Sequence, residues 1–145
     1  MFPAGTLIHT QAGLRPIEEI TAGDKVYSRH DSFQSDQIRL NPVVQTFRTE
    51  DQEIMVMTVR NADGDLEEIR TTPGHPFAVK TIMSNPLAEI SVPDGDIEVI
   101  DQVEAFIWAP TSDLKAGDKL TDISGRELEV VKTDRTGEFT TVYNF

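Results

Sequence analysis

The sequence predicts an all-β fold assembled from two related halves. Three observations point there. No window of the 145-residue chain carries apolar residues at helical spacing, whereas short alternating runs are frequent. Turn pairs such as Gly23-Asp24, Asp63-Gly64 and Asp94-Gly95 punctuate those runs. Finally, Ile20-Thr21-Ala22-Gly23-Asp24-Lys25-Val26 returns as Leu114-Lys115-Ala116-Gly117-Asp118-Lys119-Leu120.

Taken in order, Gly5 marks a turn or close approach, and residues 6–10 alternate as a strand. Gln11-Ala12-Gly13 reads as a hairpin turn. Residues 16–20 give a short element, about one helical turn, that points Ile17 and Ile20 inward. Residues 21–25 form a turn, Val26-Tyr27-Ser28 opens a strand, and the polar residues 29–37 read as a loop. Residues 38–47 and 53–60 read as two long strands joined by residues 48–52. The second has Ile54, Val56 and Thr58 on one side and Met55, Met57 and Val59 on the other, the pattern of a central strand. Asn61-Ala62-Asp63-Gly64 is a hairpin signal, and residues 66–72 return from it.

Residues 83–102 are acidic, lack Lys and Arg, and contain Pro86, Pro93 and Asp94-Gly95. They read as a surface insertion with one short hairpin. Residues 103–109 form a strand whose Trp108 is expected in the core. Residues 110–115 hold a turn, with Thr111 or Ser112 as a cap to a single helical turn. Leu120, Ile123, Leu128, Val130, Val131, Phe139, Val142 and Phe145 supply the remaining strand positions.

A second match follows the first in the same order. Val43-Val44-Gln45-Thr46-Phe47-Arg48-Thr49 resembles Val130-Val131-Lys132-Thr133-Asp134-Arg135-Thr136, and a β run follows each. Two ordered matches argue for a duplicated half-domain. In the first copy the β run continues through a turn and another strand to residues 72–77. In the second it stops at Tyr143-Asn144-Phe145. The repeat therefore predicts that a C-terminal strand of roughly 15 to 20 residues is missing, or that another segment completes the sheet.

Size places residues 1–145 in one domain with a sizeable core. A net charge of −12 argues against nucleic-acid or anionic-membrane partners, which need a basic footprint. No apolar run approaches a membrane span. The absence of cysteine removes disulfides, thiolate metal sites and a cysteine nucleophile, and leaves the compartment unknown. The three histidines show no metal-ligand spacing, so neither a metal nor another cofactor is expected. His9 and His30 read as surface or strand residues. Asp24 and Asp118 read as turn residues repeated by duplication.

The third histidine stands in Thr71-Thr72-Pro73-Gly74-His75-Pro76-Phe77. Each proline fixes its own φ and pushes its predecessor toward extended backbone, and Gly74 permits positive φ. A stiff backbone suits an imidazole that must be aimed, and neutral imidazole is the usual acid–base group near neutral pH. Taken alone, the stretch also fits a plain turn with a hydrogen-bonded histidine.

Four motifs in order lift the first reading. They are Phe2-Pro3-Ala4-Gly5-Thr6, Thr72-Pro73-Gly74-His75-Pro76-Phe77, Trp108 leading to Leu114 and Gly117-Asp118, and Val142-Tyr143-Asn144-Phe145. Together with the repeat they resemble the Hint superfamily of hedgehog and intein domains. The similarity is greatest to bacterial intein-like domains and the Hint domains of polymorphic toxins. The resemblance implies a compact, pseudo-twofold Hint fold and autoprocessing by protein splicing or self-cleavage. In that family the first residue is Cys or Ser, and its side chain attacks the preceding carbonyl in an N–S (or N–O) acyl shift. The resemblance implies that His75 protonates the departing nitrogen and that Thr72 helps distort the scissile peptide. It implies that the flanking segments of its own precursor are the partners, and the incomplete repeat adds a complementary C-terminal segment to them.

Position 1 departs from the pattern, because Met1 has a thioether where the family has its nucleophile. The family's terminal His-Asn pair is also absent, and Asn144 belongs to the strand motif instead. The chain is therefore expected to be inert as it stands. Two readings stay open. One is an autoprocessing domain, acting once on its own chain, with Met1, Thr72 and His75 at the site. The other is a non-catalytic β-rich connector in a larger secreted bacterial protein.

Overall fold

The computed structural model describes residues 1–29, 38–84, 102–122 and 124–145. His30 and most of the 83–102 insertion lie outside them. Eleven strands run through the described residues: β1 (Phe2–Pro3), β2 (Leu7–Thr10), β3 (Gly13–Pro16), β4 (Lys25–Arg29), β5 (Ile38–Pro42), β6 (Phe47–Arg60), β7 (Leu66–Thr71), β8 (Pro76–Ser84), β9 (Gln102–Pro110), β10 (Lys119–Thr121) and β11 (Glu127–Asn144). The described helical elements are two 3₁₀ turns, Ile17–Glu19 and Thr111–Asp113. All pairings are antiparallel and fall into two sheets, ordered β7-β6-β11-β10-β8-β9 with β1 on β11, and β3-β2-β4-β5.

The larger sheet is held by Met57, Val59, Val79, Leu114, Leu120, Leu128 and Val130, the smaller by Ile20, Val26 and Val43 with Ile8 against them. β6 lies between β7 and β11 in the sheet, and its inner half carries Ile54, Met55, Met57 and Val59, all buried, so both of its faces are covered there.

The duplicated scaffold is visible bond by bond. Thr6 N–H donates to the Pro3 carbonyl at 3.3 Å, and His75 N–H to the Thr72 carbonyl at 3.1 Å. Past the β2–β3 hairpin, Ile17 N–H donates to the Thr6 carbonyl at 2.8 Å. Past the β8–β9 hairpin, Thr111 N–H donates to the His75 carbonyl at 2.9 Å. Asp24 Oδ2 accepts from Thr21 N–H at 2.9 Å, and Asp118 Oδ2 from Lys115 N–H at 2.8 Å. Gly23 and Gly117 sit at φ +93° and +94°, where a β-carbon is disfavoured. Gly23 N–H donates to the Val43 carbonyl and Gly117 N–H to the Val130 carbonyl, each at 2.8 Å. The symmetry extends to the strands: β7 pairs with β6, and β1 pairs with the end of β11 through Phe2↔Tyr143 and Pro3↔Val142.

Several expectations need correction. Residues 48–52 are not a connector. They belong to β6, with Arg48↔Tyr143, Thr49↔Val142 and Gln52↔Thr140 in register. This part of the ribbon is exposed, so its residues are polar and imitate a loop. The break falls earlier, after Pro42, because Val43 spends its N–H on the Asp24 carbonyl and its carbonyl on Gly23 N–H. Met83 and Ser84 continue β8 and Gln102 begins β9, so the insertion hangs from the tip of a hairpin and is shorter than expected. Trp108 is 57% exposed and not core. Neither Thr111 nor Ser112 caps the second 3₁₀ turn, whose cap is Pro110 without a side-chain bond.

Candidate functional site

The site forms where β1, the end of β7 and the Thr72–His75 turn converge. Thr71 ends β7, and at Pro73 the chain loses a donor and turns, so Thr72 and His75 emerge on one side. Gly74 does not use the positive φ that glycine permits; its counterpart Gly5 does, at +84°. The stiffness of the segment comes from its prolines and from Thr111 and Ser112, whose N–H groups hold the carbonyls of His75 at 2.9 Å and Pro73 at 3.0 Å.

The structure brings Met1, Thr72 and His75 together. The Met1 nitrogen lies 2.7 Å from His75 Nδ1 and donates to Thr72 Oγ1 at 3.2 Å. The Met1 carbonyl accepts from Thr72 N–H at 3.0 Å and from Thr71 Oγ1 at 2.9 Å. Phe2 and Phe77 flank the imidazole, with ring centroids 4.4 Å and 5.0 Å away. Two aromatic neighbours restrict the ring and thin out its solvent.

That burial sets the electrostatics. Desolvation lowers the Met1 amino group from 8.0 to about 6. Desolvation, with the neighbouring amino charge second, lowers His75 to about 4. At neutral pH both groups are uncharged, and one hydrogen is shared between two nitrogens at proton-transfer distance. Where residue 1 carries an upstream peptide, its nitrogen is an amide without charge. The second cause then disappears and only burial depresses the imidazole.

His9 lies in β2, in the smaller sheet, and is exposed. Among the described residues no group of His, Asp and Glu is placed to hold a metal ion. Asp24 and Asp118 are turn residues, as their bonds to Thr21 and Lys115 show. Sequence reasoning gave Thr71 no role and read Thr111 only as a cap; both are fully buried. Thr111 Oγ1 donates to the His75 carbonyl at 3.0 Å, and Thr71 Oγ1 to that of Met1. A signal was available: position 111 holds threonine where the first copy has Ile17.

The comparisons with known proteins agree with one another. Residues 7–89, more than half of the chain, match the model of the pretoxin Hint domain. Over 99% of its length the chain is similar to a bacterial intein-like domain from Clostridium thermocellum, at 29% identity, a TM-score of 0.68 and 83% coverage of that chain. The gp41-1 intein shares the fold at 18% identity and a TM-score of 0.62, covering 98% of this chain and 84% of its own. No curated protein gives a significant match.

Proposed function

This chain belongs to the pretoxin Hint domain family, and we propose that it is the framework of an autoprocessing site acting on the peptide bond before residue 1. The 2.7 Å approach of His75 Nδ1 to the residue 1 nitrogen carries the reading. That nitrogen is the leaving atom when the bond before it is cleaved.

The step asked of the site is an N–S acyl shift. A thiolate at residue 1 attacks the upstream carbonyl carbon, the carbon–nitrogen bond breaks, and a thioester forms. The proton released by the thiol is taken up by the uncharged His75 and passed from Nδ1 to the leaving nitrogen. Conjugation makes an amide nitrogen planar and a poor leaving group. A nitrogen bonded to Thr72 Oγ1 while facing Nδ1 from another direction is favoured in a pyramidal geometry, which weakens that conjugation. His75 is the proton donor on this reading, and Thr72 supports the distortion. The thioether of Met1 has no ionisable proton and makes no thioester, so the chain is inert as it stands. Its partners are the flanking segments of its own precursor and a complementary C-terminal segment. Met1 itself is the observation favouring the second reading, a non-catalytic connector that keeps the fold.

The test attaches an upstream peptide and introduces Met1→Cys. Thiol-induced cleavage before residue 1, followed by mass spectrometry, is the expected result. His75→Ala in that background slows it by a factor on the order of 10²–10⁴, and the Met1 parent stays intact. A folded Met1→Cys protein that does not cleave transfers the assignment to the connector.

A further inference from the structure

The fold needs a backbone donor on the carbonyl of residue 6 and of its counterpart, residue 75. It has one in each copy, from Ile17 and Thr111. Only at position 111 does the side chain add a second donor, because Ile17 is a buried hydrocarbon and Thr111 a buried hydroxyl. The same contrast holds at the other end of the site. The turn bonds align Pro3 with Thr72, so Phe2 is the counterpart of Thr71. Phe2 has no hydroxyl; that of Thr71 is buried and donates to the Met1 carbonyl. Each extra hydroxyl sits beside an N–H already on the same oxygen: Thr72 N–H on Met1, Thr111 N–H on His75. Duplicated backbone accounts for the Thr111 N–H bond; the Thr72 N–H bond has no counterpart, because Pro3 has no N–H, and neither hydroxyl is accounted for by the duplication.

Resting on the autoprocessing reading above, we propose that Thr71 and Thr111 are positioning residues, one clamping the carbonyl of residue 1 and the other that of His75, so that the two nitrogens of the reacting pair are held in line. Two donors on one carbonyl fix its direction as well as its distance. With the residue 1 carbonyl fixed by Thr71 and Thr72, and its neighbour Phe2 paired to Tyr143, the nitrogen is confined to a narrow arc. With the His75 carbonyl fixed, the imidazole moves only by rotating between Phe2 and Phe77. Loss of either clamp widens the distribution of a contact that must be short to transfer a proton.

The experiment uses the Met1→Cys protein with an upstream peptide attached. Thr71→Val and Thr111→Val keep the shape and remove the hydroxyl, and each carbonyl retains its N–H partner. Each is expected to cleave about tenfold more slowly, the factor that goes with losing one modest positioning bond. Thr71→Ser and Thr111→Ser should stay within about twofold of the parent. The double valine variant should lose less than the product of the two, because both loosen one contact. Where a valine variant does not fold, the alanine and serine variants make the same comparison. Folded valine variants at the parent rate, or serine variants as slow as valine, overturn the proposal.

A second measurement separates this failure from that of the autoprocessing reading. In the unaltered chain, NMR titration follows the Met1 amino group. Thr71→Val should let it move into solvent and titrate nearer 8.0 than 6, whether or not the Met1→Cys protein cleaves. An unmoved titration also overturns the clamp.

Discussion

The two copies of the half-domain share a backbone and differ in what hangs from it. In the first, the turn from Pro3 to Thr6 leads into a hairpin of two four-residue strands, β2 and β3. In the second, the turn from Thr72 to His75 leads into β8 and β9, nine residues each. Four positions change character: Phe2 becomes Thr71, Pro3 becomes Thr72, Thr6 becomes His75, and Ile17 becomes Thr111. The turn bonds are common property, so they serve folding. The side chains that meet residue 1 occur in one copy, so folding does not explain them. The first copy acts as an internal control for the second.

Packing should separate the copies most. Leu114 and Ile20 are counterparts, both 4% exposed, but Leu114 lies in the larger apolar cluster and Ile20 in the smaller. Leu114→Ala should destabilise by about 3–5 kcal/mol and Ile20→Ala by about 2–3 kcal/mol, measured by denaturant unfolding. Equal or reversed losses would show that the clusters do not differ in packing.

Backbone strain gives a smaller contrast. Gly5 holds φ +84° while Gly74 does not use positive φ, and a β-carbon at Gly74 would meet nothing within 4 Å. Gly5→Ala should cost about 1–2 kcal/mol, and Gly74→Ala less than about 0.5 kcal/mol. A Gly74→Ala loss as large as that of Gly5→Ala would mean that the second turn is strained in a way its dihedrals do not show.

Much of the fold was legible because turn chemistry is local. Gly23-Asp24 and Gly117-Asp118 announce themselves, and so does the doubly apolar run of β6. What escaped depended on neighbours distant in sequence. Arg48 and Thr49 are strand residues only because Tyr143 and Val142 lie opposite. Trp108 looks like core by type, and its exposure is decided by where β9 lies in the sheet. That β1 stands to β11 as β7 stands to β6 joins opposite ends of the chain, which no local pattern encodes. At the site, Pro-Gly-His spacing marks out Thr72 and His75. The hydroxyls of Thr71 and Thr111 gain meaning only when the carbonyls they reach are known.

The duplicated fold holds the residue 1 nitrogen against His75 in the chain as it stands. The most direct measurement is an NMR pH titration of the Met1 amino group and the His75 imidazole, with unfolding free energy followed over the same range. Midpoints of about 6 for Met1 and about 4 for His75 are expected. Both are basic groups whose pKa falls on folding, so the unfolded chain binds more protons between the paired values. Stability should therefore rise with pH, through Met1 between about 6 and 8.0 and through His75 between about 4 and 6.5. His75→Ala should remove the lower part of that slope. Midpoints near 8.0 and 6.5, with no dependence of stability on pH across that range, would instead show two solvated groups that do not meet.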